Sequence, residues 1–289
     1  MKKIFSLICL MRPKDWIKNS FLFAPLFFTP HLFHMTEVMR VFFGAVIFCI
    51  IASSIYILND LKDCVADRFH PTKKNRLIAN NTINKKTARV TCILLSMIGL
   101  IAAAFFSISF FYVVLIYYII NFAYCYVLKN IAIIDIYCIS AGLILRVIGG
   151  AVLIAVVPSI WILMCTGLIA LFLAFAKRRD DIVQRVDIAH RKSMRGYNIV
   201  FIDSSIVIIL SALLISYTIY TSLNVSELHL GTTHFYWTVP LVLLGILRYL
   251  QMTLVEQKSD SPTRLLFADK FLLTTVLGWV ILSALLMYL

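Results

Sequence analysis

Apolar runs of about twenty residues, each bounded by charge, recur along this chain, and that spacing leaves few folds open to it. They fall at roughly 19–35, 39–58, 90–107, 109–128, 134–157, 159–176, 199–222, 235–252 and 271–289. As a helix, each has about the length that crosses about 30 Å of hydrocarbon. The sequence therefore predicts an all-α, polytopic membrane protein with nine transmembrane helices in one domain, 1–289. Its first run is the least regular, because Pro25 and Pro30 interrupt it. Hydrophobic residues make up 61% of the chain, against roughly 45–50% in soluble domains, so an ordinary soluble globule is excluded.

The net charge of +13 would suit a nucleic-acid binder, but the basic residues stand in short blocks between the runs, as in cytoplasmic loops. Five fall in the N-terminal segment, eight in 59–89, one at Lys129, seven in 177–198 and four between 248 and 270. With nine spans, 25 of the 27 Lys and Arg lie on one side, leaving Arg40 at an outer edge and Arg146 within a span. That sorting predicts a protein of the inner (plasma) membrane with its N-terminus cytoplasmic and its C-terminus outside; no nucleic acid is expected as a partner. The start, MKKIFSLICLMRPKDW, lacks a small-residue cleavage site and reads as an interfacial helix over 1–18 that is retained. Seven cysteines, with no CxxC pair and mostly inside apolar runs, suggest free thiols rather than a disulfide framework or a zinc site.

Two polar stretches, 59–89 and 177–198, follow the second and sixth runs, four spans apart, as two four-span units would place them over one mouth. The first opens NDLKDCVADRFHPTKKNR. If the preceding helix continues, Asn59, Asp63 and Asp67 stand at i, i+4 and i+8 with Asp60 adjacent, all on one face. Three carboxylates so placed repel one another unless a cation neutralises them. Hard oxygen donors of this kind suit Mg2+, which takes one or two carboxylates and bridges substrate phosphates. Arg68, Lys73, Lys74 and Arg76 would meet the remaining phosphate charge. A solvated helix end, with acids and bases paired at the surface, is the competing reading.

The motif NDLKDCVADR resembles the NDxxDxxxD signature of the UbiA-type intramembrane prenyltransferases. RPKDWIKNSFLFAPL, HPTKKNRLIA, FAYCYVLKN, IDIYCISAGLILRVIGGA, KRRDD, HRKSMRGYNIVFID, LRYL and SPTRLLFADK are similar to the branch that includes the decaprenyl-phosphate phosphoribosyltransferases. The resemblance implies a nine-helix bundle in which Asn59, Asp60, Asp63 and Asp67 bind Mg2+ and a diphosphate. Where aromatic prenyltransferases usually carry a second DxxxD motif, Asp180, Asp181 and Asp187 lack that spacing. Lys177, Arg178, Arg191 and Lys192 stand there instead and suit additional phosphates, with positive-inside charge as the alternative.

Other polar residues are single signals. Arg146, eleven residues after Asp135, lies about 16 Å along a helix, near the midplane, where a charge faces the bundle interior; an ion pair with Asp203 competes with a functional role. Tyr124, Lys129, Asp135 and Tyr197 sit near helix ends at the same mouth. Lys14 and Lys18 are four apart beside Trp16, placed to bind substrate or to snorkel to lipid phosphates. The resemblance implies a transferase moving a 5-phosphoribosyl group from phosphoribosyl diphosphate to a polyprenyl phosphate in the bilayer, with Asp60, Asp63 and Asp67 holding the metal. Aromatic prenyl transfer from a prenyl diphosphate is the alternative, and a lipid or organic-anion transporter is a third reading. A homo-oligomer stays open.

Overall fold

The computed structural model describes residues 2–29, 34–69, 73–183, 192–222, 234–256 and 262–288. Every regular element among them is helical. The chain forms two compact units, Met1–Pro158 with Ala189–Ser193, and Ser159–Ile188 with Met194–Leu289. Eight helices among the described residues are long and apolar enough to cross a membrane, four in each unit. In each unit the first of the four runs into one of the two polar stretches.

In the first unit, α1 (Lys2–Leu10) is followed by a 3-10 helix (Pro13–Phe23) and the short α2 (Ala24–Phe27). Then come α3 (Met35–Asp67), α4 (Lys85–Phe106), α5 (Ile108–Tyr126) and α6 (Ile134–Leu153). The single helix expected over 1–18 is broken: α1 stops at Leu10 and Arg12 takes a left-handed φ of 54°. Pro13 explains the break, since its ring disfavours helical backbone in the residue before it. Trp16 turns inward and donates from Nε1 to Ser53 Oγ at 3.0 Å.

Among the described residues of 19–35 no regular α-helix of membrane-spanning length forms, yet the two ends of this part of the chain lie far apart along α3. Arg12 pairs with Asp60 near one end of α3, whereas Met35 begins α3 at the other end, about 38 Å away at 1.5 Å per residue. Eleven 3-10 residues and four α residues rise roughly 28 Å between them, so this stretch is long enough to follow α3 along most of its length. Irregular backbone at membrane depth must be buried in protein. Asn19, Leu22, Pro25 and Leu26 are indeed buried. Gly150 of α6 lets the Leu22 carbonyl approach so closely that a Cβ there would stand 1.9 Å from its oxygen.

Lipid tails are as apolar as leucine, so packing contacts rather than the hydrophobic effect hold such helices together. The centre of the first unit is aromatic: the Phe48 ring lies 4.7 Å from Tyr117 and 6.4 Å from Phe110. Caps legible in the sequence start the helices. Asn84 accepts from the Lys86 amide, Ser107 from Phe110, Asn198 from Phe201 and Asp269 from Leu272.

The second unit holds α7 (Ile160–Val183), α8 (Ile199–Ser222), α9 (Val239–Leu250), α10 (Pro262–Ala268) and α11 (Lys270–Tyr288). A 3-10 turn leads into α9, and a π-helical turn, Gln251–Val255, follows it. The Tyr217 hydroxyl lies 2.6 Å from Thr238 Oγ1 and accepts from Trp279 Nε1 at 2.7 Å, which ties α8 to the later helices. Lys177 and Arg178 belong to α7 rather than to a loop, because helix formation continues to Val183.

Candidate active site

Helix α3 runs on past its apolar stretch to Asp67, so Asn59, Asp60, Asp63 and Asp67 stand on its last two turns as their spacing predicts. Asp60 and Asp67 are 4% exposed and Asp63 is half-buried. Burial penalises a lone carboxylate heavily, so these acids need cations. The surrounding elements supply them. Arg12, on the turn before the 3-10 helix, donates from Nη2 to Asp60 Oδ1. Arg76, from the polar stretch, lies 3.1 Å from the same Asp60 oxygen and donates to Asp67 Oδ2 at 2.7 Å. Lys129, buried beyond α5, donates to Asp63 Oδ1.

Paired in this way, the acids do not converge: no group of three His, Cys, Asp or Glu side chains among the described residues is ready to hold a metal. The donor set nevertheless fits Mg2+, which needs only one or two carboxylates. Arg76 Nη1 lies within 3.1 Å of both Asp60 and Asp67 oxygens, so one small cation can address both carboxylates. Asn59 adds a hard amide oxygen, Oδ1, that is buried and has no hydrogen-bond partner. Buried polar atoms are nearly always satisfied, and a metal ion or its water would complete this one.

The rest of the polar stretch is part structure, part surface. Arg68 donates to the Ala79 carbonyl at 3.1 Å and to Asn81 Oδ1 at 2.8 Å, so it closes the turn toward α4 rather than meeting an acid. Lys73 and Lys74 lie on a one-turn 3-10 helix, Lys73–Asn75, with Lys74 exposed. Lys18 pairs with Asp15 at 2.8 Å and stands 5.9 Å from the Tyr56 ring, while Lys14 is exposed. Tyr124 packs against the aromatic centre of the unit. Asp135, fully buried in the first turn of α6, accepts from Ser193 Oγ at 3.2 Å.

Arg146 faces the interior of the first unit and is 3% exposed. Its bonded partners are neutral: Asn19 Oδ1 at 2.8 Å, the Gly142 carbonyl at 2.6 Å and the Tyr117 hydroxyl at 3.1 Å. The guanidinium also lies about 5 Å from the Phe48 and Tyr117 ring centres, at 5.1 and 4.9 Å, within reach of cation–π attraction. Asp203 is not its partner, because Asp203 accepts from Arg179 Nε at 2.6 Å.

The second unit keeps its own charges in pairs. Arg178 is 1% exposed and meets Asp181 at 3.1 Å, one turn along α7. Arg179 is buried too, and its Nη1 has no hydrogen-bond partner. Tyr197 packs edge-on against Phe175, Lys177 is exposed, and Lys192 opens a 3-10 turn to Gly196. Arg191 and Asp187 lie outside the described residues. Sequence reasoning missed Arg12 as a site residue. Its signal was the following proline, which ends α1 just before it.

Three comparisons bear on this arrangement. The family model described as UbiA prenyltransferase family matches residues 20–276. The decaprenyl-phosphate phosphoribosyltransferase of Corynebacterium glutamicum is 31% identical over 278 residues, 93% of this chain and 83% of its own. That of Mycolicibacterium smegmatis is 34% identical over 67% of this chain and 63% of its own length, so the aligned part is less than two thirds of that relative. Among solved structures, a UbiA homolog from Archaeoglobus fulgidus bound to DMAPP and Mg2+ superposes with a TM-score of 0.72, covering 98% of this chain and all of that one, at 17% identity. At that identity the likeness speaks for the fold alone.

Proposed function

The chain belongs to the UbiA prenyltransferase family, and we propose that within it this protein moves a 5-phosphoribosyl group from phosphoribosyl diphosphate to a polyprenyl phosphate. The observation that carries the reading is the 31% identity, over 93% of the chain, to a relative named for that transfer. The charge around the acids supports it. Such a transfer brings a diphosphate, a 5-phosphate and a lipid phosphate together, and Arg12, Arg76 and Lys129 already stand beside Asp60, Asp63 and Asp67.

In this reading a lipid phosphate oxygen bonds to C1 of the ribosyl group as the bond from C1 to the diphosphate oxygen breaks, and the electron pair leaves with diphosphate. C1 inverts. The lipid phosphate is already anionic at neutral pH, so no side chain has to remove a proton. Asn59, Asp60, Asp63 and Asp67 would hold Mg2+, which when bound lowers the charge on the departing oxygens. Arg12, Arg76 and Lys129 orient phosphate oxygens, which brings nucleophile and anomeric carbon together as in an intramolecular reaction. The apolar helices receive the isoprenoid tail, and the orientation with both polar stretches cytoplasmic belongs to the same proposal.

Purified protein in detergent tests the reading without a second compartment. Diphosphate release should need both phosphoribosyl diphosphate and polyprenyl phosphate and should stop on thorough chelation. Release from dimethylallyl diphosphate with an aromatic acid, and none from phosphoribosyl diphosphate, would replace it with aromatic prenyl transfer. A transporter would release no diphosphate at all.

A further inference from the structure

Each acid of the α3 face has a basic partner on one of its carboxylate oxygens, and a metal ion bridging the acids would compete with those partners. Arg76 Nη1 stands between carboxylates seven residues apart, 3.1 Å from Asp60 Oδ1 and 2.7 Å from Asp67 Oδ2. Arg12 donates to the same Asp60 oxygen, and Lys129 holds Asp63. The buried Asn59 Oδ1 accepts from no donor. A dication that arrives alone must displace buried charge-assisted hydrogen bonds and leave guanidinium and ammonium groups beside a second positive charge. Both effects oppose it. A dication that arrives on a diphosphate offers each displaced N–H a phosphate oxygen at once.

We propose that Arg76, assisted by Arg12 and Lys129, is a place-holder for the metal: it keeps the carboxylates paired, then passes to the diphosphate when metal and diphosphate enter together. The proposal rests on the metal–diphosphate reading above and goes beyond it, assigning the same basic residues two sets of partners. Its consequence is coupling. Metal alone binds weakly, diphosphate alone meets a face of carboxylates, and each ligand strengthens the other by the same factor. The site then selects the metal-loaded substrate over the free ions around it. Arg76 is a positioning residue with respect to the acids and a binding residue with respect to the diphosphate.

Removing a place-holder should tighten the binding of metal alone, whereas removing a mere support for the carboxylates should loosen it. The test uses the full chain in lipid nanodiscs, with Mn2+ as probe and its binding read from the loss of the free-ion electron paramagnetic resonance signal. For Arg76→Gln, Mn2+ without diphosphate should bind at least about tenfold tighter than to the wild type, the equivalent of losing one competing charged hydrogen bond. The added gain from inorganic diphosphate, corrected for the complex formed in solution, should shrink by a similar factor. Arg68→Gln removes a neighbouring charge that touches no acid and should change Mn2+ affinity by no more than about twofold, as expected of an exposed charge screened by water. Arg12→Gln should act as Arg76→Gln does, and it carries the test if the first variant does not fold. Unchanged or weaker Mn2+ binding in both variants would overturn the proposal, as would equal tightening in Arg68→Gln. Should Mn2+ fail to bind wild type and all variants, with or without diphosphate, the metal reading itself would fall and this inference with it.

Discussion

Gly150→Ala is the smallest change that should dislodge the irregular N-terminal stretch. The new methyl would stand 1.9 Å from the Leu22 carbonyl oxygen and 2.8 Å from its carbon. A carbon and a carbonyl oxygen in contact lie about 3.3 Å apart, so the 3-10 helix must retreat by about 1.4 Å. Both partners are backbone, so no rotamer change relieves the clash. Overpacking of this kind costs about 1–3 kcal/mol, which for a chain of this size corresponds to an apparent melting temperature lower by about 3–10 °C. The same segment carries Arg12 to Asp60 and Asn19 to Arg146, so transfer activity should fall well beyond the loss of folded protein. The assay is thermal unfolding in detergent alongside activity per folded molecule. Gly142→Ala on the same helix is the control, since its Cβ would meet nothing nearer than 3.4 Å. If Gly150→Ala matched the wild type in both measures, the segment would not lie against α6 as described.

Asp67→Asn should remove most activity and leave insertion and folding intact, because its side chain ends at Arg76 rather than in the apolar core; near-normal turnover would make the acidic face structural. Arg146→Met should destabilise the protein by about 1–3 kcal/mol, the cost of leaving the Asn19 oxygen and the Tyr117 hydroxyl short of a partner. Unfolding midpoints in detergent check this, and a stabilised variant would show that the buried charge costs more than its contacts return. A reporter fused after Leu289 should behave as exported, and cytoplasmic behaviour there would undo the expected nine spans.

The helical bundle was legible in the sequence because apolar length is a direct consequence of bilayer thickness, and the acidic face because four residues at helical spacing need only one continuous helix. The irregular N-terminal stretch was legible only in part, through the prolines that interrupt its run. Its apolar content matches that of a span, but Pro13 and Pro25 change the backbone geometry in ways that hydropathy does not register. The partners of the acids were hidden: Arg12 and Lys129 are 48 and 66 residues from Asp60 and Asp63, and only packing brings them there. Arg178 shows what hydropathy and charge blocks leave out. It stands in a basic block that suggested a phosphate ligand, and helix continuation buries it beside Asp181.

Donor identity separates the two transfer chemistries most directly. Purified protein, Mg2+ and polyprenyl phosphate should be incubated with phosphoribosyl diphosphate labelled in the ribose, and in parallel with labelled dimethylallyl diphosphate and an aromatic acid. Ribose label should enter the organic phase, at a rate abolished by Asp60→Asn, while the prenyl donor yields no product. Ribose label confined to the aqueous phase, with prenyl label on the aromatic acid, would contradict phosphoribosyl transfer.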